Sequence, residues 1–317
     1  MKRPLFALAT LLLGTTSALA EVPKVVATIK PIHALVAAVM GDLGQPTLIV
    51  KGAASPHTYS LKPSEAGAIE AADIVFWTGH GMEVFLEDSL STLAPNATSV
   101  ELSEAPGVEL LPVREGGMFE PHEDESEAGH EDHDHAEHAH EGHDHGEMDM
   151  HVFLDPQVAK AMVAEIARTL SAADPANAAT YAANADAETA ALSALEADIA
   201  ARVAPIQSKP FVVFHDAYQY FAKRFGLNVV GSITVNPENM PGADRIAEVR
   251  EKLKTLDTAC VFAEPQFDPR IVDVLIEGTQ AGKSVLDPEG ANLPEGKGLY
   301  PALLNAMADS IVDCLEK

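Results

Sequence analysis

Short apolar runs alternate with stretches of helical spacing along most of the chain. Runs rich in β-branched residues predict strands at 22–29, 47–50 and 73–77. Between the first two runs, residues 32–40 have the apolar spacing of a helix, and the same alternation resumes at 211–214 and continues to the C-terminus. Strands that alternate with helices are typical of α/β folds with mainly parallel sheets. We therefore predict two α/β lobes.

Helical patterns without intervening strands separate the two sets of strands. Asp155 precedes Pro156 and is predicted to cap a helix that begins there. A second helix is predicted within 175–204, in a stretch dense in alanine and glutamate, and about 28 residues of helix span about 42 Å. Such a helix suits a rigid connection between an N-terminal lobe (21–174) and a C-terminal lobe (205–317).

The segment 115–150 breaks the α/β pattern inside the first lobe. It holds 14 acidic residues and eight histidines but no lysine or arginine, and its low apolar content predicts a disordered loop. Alternating histidines and acids offer many weak sites for metal capture, whereas a solvated acidic tract is the alternative interpretation. The predicted auxiliary ligands are His130, His133, His135, His138, His140, His143 and His145.

The N-terminus has the pattern of a secretory signal. Lys2 and Arg3 precede the apolar run 5–13, and small residues at Ala18 and Ala20 predict cleavage after Ala20. An apolar run this short is about half the length that a transmembrane helix needs. We expect an exported mature chain that is not anchored in the membrane.

Charge and cysteine content narrow the classes of function. A formal net charge of -27 argues against nucleic-acid binding, which needs a basic surface. Two cysteines are too few for a four-cysteine zinc module. Cys260 lies in a predicted strand and Cys314 in the last predicted helix. In an exported chain we expect a disulfide between them, with two buried free thiols as the alternative.

Four candidate metal ligands lie just after predicted strands or at the start of a helix. They are His57, His151, His215 and Asp287, and two come from each predicted lobe. Parallel sheets present functional residues at the carboxyl ends of their strands. Three imidazoles and one carboxylate suit four-coordinate Zn²⁺. A turn or capping residue is the alternative interpretation of Asp287.

Seven features occur in a characteristic order along the chain: HTYSLKPS at 57–64, the histidine-rich insert, HVFLDP at 151–156, FHDAYQYF at 214–221, TVNPE at 234–238, FAEPQF at 262–267 and LDP at 286–288. Together they resemble the zinc-specific solute-binding proteins of ABC importers, the family called ZnuA. The resemblance covers about Glu21 to Lys317 and implies two α/β lobes with a metal in the cleft between them. It also implies that His57, His151 and His215 are the primary ligands and that the two cysteines form a bridge.

Two positions bear on the metal and on its fourth ligand: His215 and Pro56. Manganese-type relatives have glutamate where His215 stands, so histidine there favours zinc. Some zinc-type relatives have a glutamate before the first ligand, where this chain has Pro56. The fourth ligand is then Asp287, a water or a histidine of the insert. Glu264 is predicted to hydrogen-bond a ligand from behind.

The predicted function is zinc capture in the periplasm and delivery to an ABC permease of the inner membrane. We expect a monomer without enzymatic activity, and a periplasmic metallochaperone is a further candidate partner. A passive zinc buffer built on the insert is the alternative. A zinc hydrolase is disfavoured because neither HExxH nor GxSxG is present.

Overall fold

The computed structural model describes residues 22–87, 89–114, 148–234, 237, 241–255 and 259–316. The predicted signal segment 1–20 and the seven histidines named in the insert lie outside these residues. Within the described part of the chain, no helix combines the length and apolar character needed to cross a membrane.

The first lobe is built on a four-stranded parallel sheet with the order β2-β1-β3-β4. The central strands β1 and β3 are buried along their whole length, which explains their continuous apolar sequences. The strands are β1 (Val25–Ala27), β2 (Thr47–Leu48), β3 (Ile74–Trp77) and β4 (Thr98–Glu101). The helices are α1 (Lys30–Met40), α2 (Pro63–Glu70), α3 (Val84–Glu87) and α4 (Leu90–Leu93).

A short antiparallel ribbon follows the first sheet. It pairs β5 (Leu111–Pro112) with β6 (Met148–Asp149). The prediction of a loop over 115–150 is therefore wrong at its C-terminal end, because Met148 and Asp149 pair with a strand that precedes the insert. Residues 115–147 lie outside the described part of the chain.

Two helices, α5 (Pro156–Ala173) and α6 (Ala178–Val203), come next. As predicted, Asp155 caps α5, and its Oδ1 accepts a hydrogen bond of 2.8 Å from the backbone N–H of Gln157. Helix α6 begins three residues later than predicted because residues 174–177 form a turn, in which the Asn177 N–H donates to the Asp174 carbonyl. Its 26 residues span about 39 Å.

The second lobe repeats the architecture with a parallel sheet of order β10-β9-β7-β8. The prediction of two mainly parallel α/β lobes and one long helix is thus confirmed. The strands are β7 (Phe211–His215), β8 (Val229–Thr234), β9 (Cys260–Ala263) and β10 (Gly282–Val285). The helices are α7 (Gln219–Phe225), α8 (Ala243–Thr255), α9 (Arg270–Ile276) and α10 (Leu299–Leu315).

One face of α6 packs against α5, α1 and α10, so this helix contacts elements of both lobes. Its buried residues recur at helical spacing and form a single stripe. They are Tyr181, Ala185, Leu192, Leu195, Ile199 and Val203.

The predicted disulfide is confirmed. Cys260 on β9 and Cys314 in α10 are bonded, with 6.2 Å between their Cα atoms. Gly282 on the neighbouring strand leaves room for the bridge, because a Cβ there would lie 3.2 Å from each sulfur atom. The bond fastens the C-terminal helix to the core of the second sheet and closes a 54-residue separation in sequence.

Candidate metal centre between the lobes

Three histidines from distant parts of the sequence meet where the two lobes face each other. His57 lies in the short 3₁₀ turn Pro56–Thr58 after β2. His151 begins the 3₁₀ turn His151–Leu154 between β6 and α5, and His215 is the last residue of β7. The sequence predicted His57 shortly after a strand, His151 directly before a helix and His215 at the end of a strand, and the structure places them so.

The nitrogen atoms of these imidazoles converge on one point. The Nε2 atom of His151 lies 3.3 Å from Nε2 of His57 and 3.3 Å from Nε2 of His215. One ring nitrogen from each residue lies within 4.8 Å of the others, and within the described residues this is the one such group of histidine, cysteine and acidic side chains. His151 and His215 are buried, and His57 is half-buried.

Two of the three rings are oriented by carboxylates on their far side. His151 Nδ1 lies 2.8 Å from Oδ1 of Asp149, and His215 Nδ1 lies 2.7 Å from Oε2 of Glu264. Each carboxylate accepts a hydrogen bond from the Nδ1–H of its imidazole, which turns Nε2 of the ring towards the centre as the candidate ligand atom. The sequence predicted that Glu264 hydrogen-bonds a ligand without saying which one, and the structure shows that its partner is His215. Among the described residues, no carboxylate bonds to Nδ1 of His57.

The surroundings of His57 and His215 shift the pKa values of the two rings in opposite directions. Burial, reinforced by the neighbouring His151 and His215, lowers the pKa of His57 to about 2, so that ring stays neutral. Burial also acts to lower the pKa of His215, but the charge and hydrogen bonds of Glu264 outweigh it and raise that pKa.

The space beside the histidines is small and has aromatic walls. Its cavity volume is about 10 Å³, and Phe267 forms part of its lining. Phe267 stacks on Phe214 at 4.7 Å between ring centroids and meets His215 edge-on at 5.9 Å. Pockets for small organic ligands are usually about 300–1,000 Å³, so this space is better matched to an ion.

Asp287, the predicted fourth ligand, is not brought into the histidine group. Its Oδ1 accepts hydrogen bonds from the backbone N–H groups of Glu289 (3.1 Å) and Gly290 (2.9 Å). Its Oδ2 accepts from the N–H of Ala291 at 2.6 Å, and Gln266 Nε2 donates to Oδ1 at 3.0 Å. In this conformation the carboxylate stabilises a turn, and its role as a ligand stays a prediction.

The turn after Asp287 places another acid at the same space. Glu289 lines the cavity and is only 5% exposed. Burial, followed by the nearby Asp287 and Glu83, raises the pKa of Glu289 well above its ordinary value. Lys30 of the first lobe opposes this effect, and its ammonium donates to the carbonyls of Gly290, Ala291 and Leu293 in the same loop.

Asp149 and Glu289 are not among the residues predicted from the sequence. An acid two residues before a candidate ligand, as in Asp149-Met150-His151, was a usable signal for a carboxylate behind that histidine. No comparable signal marked Glu289, because an acid in a turn is ordinarily a solvated surface residue.

This architecture is that of a two-lobed solute-binding protein: two parallel α/β lobes are joined by a long helix. The three histidines between the lobes could hold a metal ion. Residues 25–314 match the family described as zinc-uptake complex component A, periplasmic (ZnuA). The chain belongs to this family.

Relatives and solved structures agree with this membership. The high-affinity zinc uptake system protein ZnuA of Brucella suis is 48% identical over 313 residues, with 92% of each chain covered. The protein of the same name from Paracoccus denitrificans is 38% identical, with 99% of each chain covered. A crystal structure of ZnuA aligns with a TM-score of 0.74 at 24% identity over 92% of this chain and 98% of that one, which supports the fold.

Proposed function

We propose that this chain captures Zn²⁺ in the periplasm, holds it between its lobes and passes it to an ABC-type permease of the inner membrane. Zinc is cargo in this proposal, and His57, His151 and His215 are its ligands. Curated relatives up to 48% identical carry the name of a high-affinity zinc uptake protein. Family members and relatives are described as transport components, which supports binding rather than catalysis.

The separation of the histidine nitrogen atoms is the observation that carries the proposal. Zn–N distances of about 2.0–2.1 Å in a tetrahedral site place neighbouring nitrogen atoms about 3.3 Å apart. Both measured Nε2 to Nε2 distances are 3.3 Å. An ion at the centre of this group would draw one ligand from the second lobe and two from the first, so bound zinc would hold the lobes together.

The fourth position is proposed for Asp287 or a water. Asp287 would have to give up hydrogen bonds to backbone N–H groups to reach the ion. A water needs no such change, and three-histidine sites with a bound water are common for zinc. A histidine of the insert is the third candidate that the sequence left open.

The remaining expectations complete the proposal. The signal segment would be cleaved after Ala20, and the mature chain would act as a monomer. The seven histidines between His130 and His145 would bind zinc more weakly than the cleft, because ordering that segment costs conformational entropy. A periplasmic metallochaperone stays a candidate source of the metal.

Competitive zinc titration of the mature chain 21–317 against a chelator tests the proposal. The variants are the triple replacement of His57, His151 and His215 by alanine and, separately, deletion of 115–147. The deletion must end at 147, because Met148 and Asp149 belong to β6. His80→Ala is the matched control, since its side chain is 64% exposed and contacts Glu101 away from the centre.

The expected result is one tight zinc in the unaltered chain, the deletion variant and the control, and none in the triple variant. Tight binding that disappears with 115–147 would favour the buffer hypothesis instead. Tight binding that survives the triple replacement would overturn the assignment of ligands.

A further inference from the structure

One carboxylate joins a candidate zinc ligand to the β5–β6 ribbon and to the second lobe. Asp149 lies on β6 and is 4% exposed. Its Oδ1 accepts hydrogen bonds from Nδ1 (2.8 Å) and the backbone N–H (3.0 Å) of His151. Its Oδ2 accepts a bond of 3.1 Å from Nε2 of Gln219, which belongs to α7 of the second lobe.

A buried tyrosine of α7 fastens both strands of the ribbon. The Tyr220 hydroxyl accepts a hydrogen bond of 2.7 Å from the N–H of Leu111 on β5. The same hydroxyl donates a bond of 2.8 Å to the carbonyl of Asp149 on β6. Gln219 adds a bond of 3.1 Å to the carbonyl of Pro112. Tyr220 is 3% exposed, so its bonds are shielded from water.

Ion pairs lie on either side of this contact. The Arg114 guanidinium, just beyond β5, forms a two-pronged pair with Asp216, the residue after His215. At the other end of α7, Arg224 forms a two-pronged pair with Asp155 at 2.8 Å for each bond. Tyr220 and Arg224 are four residues apart and lie on one face of α7. Gln219, in the first turn of α7, and Asp216, just before the helix, make the other contacts.

We propose that the β5–β6 ribbon is an interlobe strap that slows zinc release, with Asp149 as the positioning residue that connects the strap to His151. This inference rests on the proposed function, since it concerns the retention of zinc at the same three histidines. When the lobes separate, the Tyr220 and Gln219 bonds must break together with the zinc ligands. A strap of this kind lowers the rate of release more than the rate of capture.

The test measures zinc release from the full mature chain loaded with one equivalent of zinc, by stopped-flow mixing with a chelating dye. Tyr220→Phe removes two hydrogen bonds and keeps the ring, and Gln219→Ala removes the bond to Asp149 without touching His151. Tyr181→Phe is the matched control, because its buried hydroxyl donates to Asp174 away from the centre. We expect release to be about tenfold faster for Tyr220→Phe and unchanged for Tyr181→Phe.

Asp149 is tested with two substitutions and a spectroscopic readout. Asp149→Ala frees the His151 ring, so we expect roughly 10–100-fold faster release and an altered visible absorption spectrum of the Co²⁺-loaded chain. Asp149→Asn keeps an oxygen that can accept a hydrogen bond from Nδ1–H of His151. Its zinc release rate and Co²⁺ spectrum should therefore stay close to those of the unaltered chain. A purely structural role would lower the melting temperature of the apo chain without changing the Co²⁺ spectrum.

Release that is unchanged in both Tyr220→Phe and Gln219→Ala, in a parent that binds one zinc tightly, would overturn the strap and leave the proposed function intact. A Co²⁺ spectrum that Asp149→Ala leaves unaltered would overturn the positioning role. A parent without a tight site would overturn the strap together with the function on which it rests.

Discussion

Two sides of the metal centre are built differently. On one side, His151 and His215 are buried, and each donates Nδ1–H to a carboxylate, from Asp149 or Glu264. On the other side, His57 lies half-buried on a turn of three residues, with no such carboxylate among the described residues. Its pKa is lowered to about 2, whereas the pKa of His215 is raised.

The contrast separates ligands that are fixed in advance from one that can move. A carboxylate behind an imidazole fixes the tautomer and ring orientation and strengthens the ring as a donor to the metal. Without that partner, His57 depends on its turn and on burial for its position. We expect zinc to meet His151 and His215 as a preformed pair and His57 as the ligand that completes the site.

Removing single ligands gives the largest expected effects and tests the contrast directly. If three histidines share a binding free energy of about 10–16 kcal/mol with a fourth ligand, each contributes on the order of 3 kcal/mol, or at least about 100-fold in affinity. His151→Ala should cost more zinc affinity than His57→Ala, because Asp149 orients the His151 ring and strengthens it as a donor to the metal, and His57 has no such partner among the described residues. Competition with a chelator measures the zinc affinity of both variants. Equal losses of affinity would contradict the proposed difference between His151 and His57.

Glu264→Gln should weaken zinc binding by roughly 10–100-fold near neutral pH, because His215 loses its charged partner. A proton and Zn²⁺ compete for Nε2 of His215, and the raised pKa of His215 makes this competition begin at a higher pH. The substitution lowers that pKa, so the decline of affinity on acidification should begin at a lower pH. Zinc titrations across a pH series measure the pH at which affinity begins to decline. If that pH is the same in Glu264→Gln and in the unaltered chain, Glu264 is not the cause of the raised pKa of His215.

Asp287→Asn should reduce zinc affinity by about tenfold or less, a smaller loss than for any of the three histidines. The reason is that the Asp287 carboxylate accepts backbone hydrogen bonds in its own turn. The Co²⁺ spectrum should keep its shape. A loss as large as that of a histidine variant, with a changed spectrum, would establish Asp287 as a ligand.

Glu289→Gln should give the smallest effect, a stabilisation of the metal-free chain of about 1 kcal/mol at pH 8. The folded-state pKa of Glu289 is raised, so the fold favours the neutral carboxyl and loses stability as pH rises through that pKa. The benefit of the substitution should therefore vanish near pH 4. Thermal melts at pH 8 and pH 4 measure the change in the free energy of unfolding. Glu277→Gln is the control, because Glu277 is exposed. A benefit that is equal at both pH values would exclude the charge as its origin.

Much of the fold followed from local sequence patterns. Apolar β-rich runs marked the central strands, and alternation with helices indicated parallel sheets in both lobes, as found. The glycine-free stretch before Pro205 indicated a long helix, although its start was placed three residues early because the turn at 174–177 was not recognised. Strand β6 was missed because two residues beside an acidic insert carry no periodic pattern.

The sequence by itself determined the candidate metal ligands, which are histidines at or after strand ends or at the start of a helix, and it predicted that Glu264 hydrogen-bonds one of them. Only the tertiary structure decided that three of these histidines meet, since His151 lies 94 residues from His57 and 64 residues from His215 in the chain. It also decided that Asp149 orients His151 while Asp287 stabilises a turn. Residue type and spacing fix the local conformation and the available donor atoms, but the distances between those atoms depend on how the two lobes pack against each other and against the long helix.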